Sequence, residues 1–181
     1  MTAMLTARTM EEVLLYLDLN FCDCCKAPDG LRSWREQRGR ALVSVHAGGC
    51  PTCHTTASFE FEIRAQEVVI PPAIGGAVPS QIIDPGEFLW LSDQAASGVP
   101  VDISSLPDGQ ITNARLLLED AVVALEEVRK FIPDGFQRVP DEAFFSARGK
   151  SLYRSSPERF DRELIEERLD FYRHGLAQLS V

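Results

Sequence analysis

Cys22-Asp23-Cys24-Cys25 and Cys50-Pro51-Thr52-Cys53-His54 are the two stretches on which the reading of this chain turns. All 5 cysteines of the 181 residues fall between positions 22 and 53. Each stretch contains a CxxC unit, Cys22 with Cys25 and Cys50 with Cys53. Two cysteines three apart in a tight turn aim both sulfurs at one point, and two such turns bring four thiolates to one tetrahedral ion. The 24 residues between the units, Lys26 to Gly49, exceed the roughly 15–20 of the simplest pattern and leave room for a hairpin.

The ion expected is Zn²⁺ in a structural role, held by Cys22, Cys25, Cys50 and Cys53. That set leaves Cys24 as a spare thiol. Sets in which Cys24 replaces a neighbour, or His54 supplies a ligand, remain open. A closed four-thiolate site has no free coordination position, so it neither activates water nor polarises a substrate. Four thiolates also suit iron, although the aromatic residues that usually surround such iron are missing nearby in sequence. A thiol redox site is a further alternative. Neither CxxC, however, opens a helix in a βαβ unit.

Cys50-Pro51-Thr52-Cys53 resembles the CPxC knuckle of zinc ribbons. Residues 12–65 are loosely similar to bacterial CPxC-type zinc-binding domains. The resemblance implies a strand, a metal turn and another strand, with structural zinc. Three features depart from the pattern. The first unit lacks the proline, no glycine follows Cys25, and His54 stands where the second knuckle often has glycine.

Working outward, period-2 alternation predicts strands over Val13 to Phe21, Ala41 to Ala47 and Ser58 to Arg64. Val68 to Ile70 would extend the sheet before Pro71 and Pro72. Pro71 to Pro79 holds three prolines and two glycines and reads as a boundary. Beyond it the period becomes about 3.6. Asp84-Pro85 opens a helix over Glu87 to Ala96. Thr112 or Asn113 caps a long helix to about Phe131, with Leu117, Ala121, Leu125 and Val128 in one stripe. Pro140-Asp141-Glu142 starts a short helical turn, and Ser156-Pro157 opens the last helix.

The fold class expected is therefore α+β. A zinc ribbon-like antiparallel β module (1–70) is followed by a linker (71–80) and a module of three to four helices (81–181), the two either separate or sharing one core.

Net charge is −9, unevenly spread. Residues 1–70 carry seven basic against nine acidic side chains, and 71–181 carry eleven against eighteen. The second half should repel nucleic acid. A nucleic-acid role would fall on the loop from Arg32 to Arg40, where Arg32, Arg35, Arg38 and Arg40 surround Trp34. The plainer reading is a solvated loop, or a contact for an acidic protein. No apolar run approaches the ~20 residues of a membrane helix, no signal peptide is evident at the start, and the expected compartment is a reducing cytoplasm.

No catalytic constellation emerges. His46 and His174 read as structural or solvent-facing, no GxSxG elbow or Gly-rich phosphate loop occurs, and Glu126, Glu127, Glu166 and Glu167 read as helix surface. Phe88 to Leu91 reads as core, or as a docking face if exposed. The expectation is a non-enzymatic zinc protein that binds a protein partner. A nucleic-acid binder and a thiol redox or metal-dependent enzyme are the alternatives.

Overall fold

The structure, a computed structural model, describes residues 4–22, 30–63, 73–103 and 107–179. Its elements are β1 (Leu5–Ala7), α1 (Met10–Asn20), β2 (Leu31–Arg38), β3 (Ala41–Gly49), β4 (Thr56–Ile63), α2 (Pro85–Ser97), α3 (Asp108–Lys130), α4 (Ala147–Ser155) and α5 (Arg162–Gln178). The class is α+β: a four-stranded sheet in the N-terminal half, then a helical region. The chain divides into two compact units, and residues 74–76 and 80–82 belong with the first.

The expected strand at Val13 to Phe21 is a helix. Four of its nine residues are Leu, a good helix former, Met10, Glu11 and Glu12 precede it, and only Val13 is β-branched. Thr9 caps it, its hydroxyl accepting from the Glu12 amide at 3.1 Å. The apolar residues obey a 3.6 period as well as alternation: Val13, Leu17 and Phe21, at i, i+4 and i+8, are the buried ones. Glu12 is buried too. Its carboxylate accepts from the Arg8 backbone at 2.6 Å and pairs with the Arg8 guanidinium at 2.8 Å. Beside that pair, the Thr9 hydroxyl donates to the Ile74 carbonyl at 2.5 Å and fastens residues 74–76 to this unit.

The sheet order is β1-β4-β3-β2. β2, β3 and β4 are antiparallel, whereas β1 pairs in parallel with β4 through Leu5↔Phe61 and Ala7↔Ile63. The sheet is therefore mixed rather than wholly antiparallel. Three residues, Leu5 to Ala7, are too few to display alternation, which is why β1 has no signature in the sequence.

The expected loop from Arg32 to Arg40 is mostly strand: β2 runs to Arg38, and Gly39-Arg40 forms a two-residue turn into β3. Apart from Leu31 and Trp34, which fall on opposite faces, its side chains are polar, so hydrophobic alternation cannot reveal it. β2 lies at the sheet edge, where charge is the usual defence against strand pairing.

One face of the sheet packs on α1. Tyr16 sets its ring edge-on to Phe59 at 5.9 Å and to Phe61 at 5.5 Å. Ser44 and His46, opposite Phe61 and Phe59 in register, share this face. Both are buried, with Ser44 Oγ and His46 Nε2 at 2.9 Å. Burial pushes the His46 imidazole below its ordinary pKa. His46 is a core histidine with a hydrogen-bond partner.

In the second unit, α2 begins where Asp84-Pro85 indicates, with a full capping box between Asp84 and Glu87. Phe88 and Leu89 are fully buried, so the start of α2 is core rather than docking face. α3 starts at Asp108, earlier than Thr112, with Pro107 at the N-cap and no side-chain cap bond. Its buried stripe is Ala114, Leu118, Ala121, Leu125 and Val128. A 3₁₀ turn over Pro157–Phe160 precedes α5, which moves that helix's start to Arg162. The expected turn after Pro140 is 3₁₀, Asp141–Ala143. α4, capped by Ser146, was not anticipated. Val68 to Ile70 lies outside the described residues.

Candidate metal centre

β3 and β4 are joined by the six residues from Cys50 to Thr55, between the register pair Gly49↔Thr56. The Cys50 amide donates to the Thr55 carbonyl at 2.9 Å, and the His54 amide donates to the Cys50 carbonyl at 2.9 Å. These bonds curl the loop into one tight turn. His54 takes φ 59°, the one non-glycine at positive φ among the described residues. Positive φ is the region that favours glycine, so His54 supplies this backbone conformation at a steric cost.

The turn aims two sulfurs the same way. The Cys53 amide donates to Cys50 Sγ at 3.4 Å. Such N–H···S contacts stabilise thiolate charge. Thr55 Oγ1 stands 3.2 Å from Cys53 Sγ and can donate to it once that sulfur is ionised. No motif marks Thr55, and sequence reasoning missed it.

Cys22 arrives from a different direction, just beyond the C-terminal end of α1. The first CxxC thus follows a helix where a strand was expected. Cys22 Sγ lies 3.5 Å from Cys53 Sγ. The Cys22, Cys50 and Cys53 sulfurs all lie within 4.8 Å of one another and are close enough to hold a metal ion. None of the three is in a disulfide. Cys50 is 1% exposed, Cys22 is half-buried and Cys53 is exposed, and the turn that carries two of them closes one end of the two central strands. Zn–S bonds of about 2.3 Å place tetrahedral sulfurs about 3.8 Å apart, within the observed span.

Cys24 and Cys25 lie outside the described residues. The chain re-enters the described structure at Gly30, and there the two backbones nearly touch. A Cβ built on Gly48 would lie 1.9 Å from the Gly30 carbonyl oxygen. Only glycine allows this approach. It holds the strand leaving the first CxxC against the strand entering the second. The His54 ring is not part of the described sulfur cluster.

The arginines that suggested nucleic acid are on β2 and its turn. Arg38 is engaged by Glu60 at 2.7 Å and Glu36 at 2.8 Å, which hold its guanidinium pKa above the usual range. Trp34 Nε1 donates to Glu36 at 2.6 Å. Arg32, Arg35 and Arg40 are exposed. His174 is exposed on α5, while Glu127 is buried and bonded to Lys130 at 2.6 Å. No helix among the described residues is long and apolar enough to cross a membrane. Comparison with protein-family models, curated proteins and solved structures gives no match to this chain.

Proposed function

We propose that this chain is a cytoplasmic, non-enzymatic interaction protein whose fold is completed by one structural Zn²⁺ bound to Cys22, Cys25, Cys50 and Cys53. The observation that carries the reading is the convergence of three cysteine sulfurs from two separate elements within 4.8 Å, on a turn that donates an amide to one of them. Cys25 lies three residues after Cys22 in the same unit and supplies the fourth thiolate. With four sulfurs the coordination is closed, and the ion's work is to crosslink the end of α1 to the β3–β4 turn. A mixed sheet covered by one short helix gains much from such a link. Function then lies in what the surface binds.

The test is the metal content of protein purified without added metal, with thiols counted before and after denaturation. The reading expects about one zinc per chain, four protected thiols and one reactive thiol. A metal-free protein with all five thiols reactive in the native state sinks it.

A thiol redox protein is the second reading, favoured by the 3.5 Å between Cys22 and Cys53 sulfurs. It requires a metal-free protein in which that pair oxidises reversibly, so the same measurement separates the two.

A further inference from the structure

α5 presents Phe171 to solvent at 74% exposure, the most exposed aromatic ring among the described residues. The ring stands at the lip of a cavity of about 740 Å³ that lies within the helical unit. Its apolar wall comes from Val99, Pro100, Val101 and Ile103, which follow α2, and from Leu118 of α3. Val101 is also fully exposed. Isolated exposed apolar residues are ordinary on a protein surface. Phe171 and Val101 lining one concave site are the pattern of a recognition surface.

A second depression, of about 410 Å³, adjoins the first and shares Glu167 and Asp170 with it. Its other charged lining residues are Glu163, Glu166 and Arg162, so four carboxylates face one cation. That cation is already engaged. Arg162 donates to the Phe136 and Pro133 carbonyls at 3.1 and 3.4 Å and lies 3.8 Å from Glu166. Arg173 serves Asp170 at 3.5 Å and Glu126 at 2.7 Å. Glu163 and Glu167 have no ion pair among the described residues.

We infer that this two-part groove along α5 docks a partner protein segment carrying a large apolar side chain and, one to two helical turns away, a Lys or Arg. The apolar side chain enters beside Phe171 and Val101, and the cation meets Glu163 and Glu167. Glu167 and Glu163 precede Phe171 by one and two turns of α5, about 6 and 12 Å at roughly 1.5 Å per residue, a distance that one to two turns of a partner helix span. Charge selects the occupant. A second copy of this chain, at net −9, would bring like charge to an acidic rim, whereas a basic amphipathic segment brings the opposite sign. The inference rests on the interaction reading above and supplies its partner class. Metal content is unaffected by its failure, so the two stand or fall by different measurements.

The experiment is fluorescence anisotropy of the intact chain with three labelled peptides of about 18 residues, long enough to form helix. One is an amphipathic Leu/Lys helix, one its Leu/Glu counterpart, and one a Lys/Gly peptide of the same charge without leucine. The expected result is preference for the Leu/Lys peptide by about tenfold or more, weakening with salt. Phe171→Ser, at an exposed position, should lower that affinity about tenfold, and the double change Glu163→Gln/Glu167→Gln several-fold. Glu11→Gln, in the other unit, should leave it unchanged. Equal binding of the Leu/Glu or Lys/Gly peptide, no binding of any peptide, or a Leu/Lys affinity untouched by both groove variants would overturn the proposal. So would a dimer in light scattering that Phe171→Ser dissociates, which assigns the groove to a second copy. A small apolar molecule that copurifies with the wild type and is lost in Phe171→Ser would also overturn it.

Discussion

Gly149, at the start of α4, rests on the Asp84 carboxylate so closely that a Cβ on it would lie 2.1 Å from Asp84 Oδ1. Asp84 is fully buried and caps two helical entries at once. Oδ1 accepts from the Glu87 amide at 3.0 Å, while Oδ2 accepts from the Ser146 amide at 2.7 Å and the Phe145 amide at 3.1 Å. A second glycine, Gly86, meets the same point from α2, its hypothetical Cβ 2.4 Å from Gly149 Cα. Gly149→Ala therefore overpacks a site with no room to yield and should cost about 1–3 kcal/mol in urea denaturation. Asp84→Ala should cost more than the roughly 1 kcal/mol of an ordinary cap, since it strands amides of two elements. A Gly149→Ala protein as stable as wild type would show that α4 is not held on Asp84.

Glu87, the partner in that capping box, carries a pH signature. Burial pushes its carboxyl above the ordinary value of 4.5. A group whose folded pKa is raised contributes stability that is complete below its unfolded pKa and is lost as pH rises through its folded one. Glu87→Gln removes that loss. Its melting temperature should match wild type near pH 4 and exceed it at pH 8, as thermal scans at the two values would show. A wild type and variant that differ equally at both pH values would contradict the burial account.

His54 separates a conformational role from a ligand role. At φ 59° a side chain costs about 1 kcal/mol relative to glycine. If His54 only shapes the turn, His54→Gly should keep the metal and raise stability by up to about 1 kcal/mol. If His54 is a ligand, His54→Gly should lose metal affinity, which competition with a chelator reads directly.

The two cysteines of the first unit that lie outside the described residues have opposite expected behaviour. Cys25→Ser should lose the metal and weaken the sheet unit, as Cys22→Ser, Cys50→Ser and Cys53→Ser should. Cys24→Ser should keep the metal and remove the one reactive thiol. Metal analysis of the five single variants decides the ligand set, and a Cys24→Ser protein without metal would exchange its role with a neighbour.

Much of this molecule was legible in its residues, for reasons that differ by element. β4 was plain because Phe59, Phe61 and Ile63 alternate cleanly with Glu60 and Glu62. α2 was plain because Asp84, Pro85 and Glu87 each carry a separate start signal. α1 misled because Leu15, Leu17, Leu19 and Phe21 alternate by accident, while the signal that decides, Thr9 followed by Glu12, precedes the run. β2 was hidden because an edge strand with charge on both faces has no hydrophobic period to read. At the metal centre, spacing pointed to Cys22, Cys50 and Cys53, whose sulfurs lie within 4.8 Å of one another, and to Cys25, which lies outside the described residues. The supporting contacts, Thr55 beside Cys53 and Gly48 against Gly30, depend on three-dimensional approach and leave no pattern in the sequence.

The measurement that bears most directly on the central claim is zinc K-edge X-ray absorption on protein purified without added metal. The account predicts about one zinc per chain with a shell of four sulfurs near 2.3 Å and no light-atom ligand. An absent edge, or a shell containing nitrogen or oxygen, would contradict a closed site formed by Cys22, Cys25, Cys50 and Cys53.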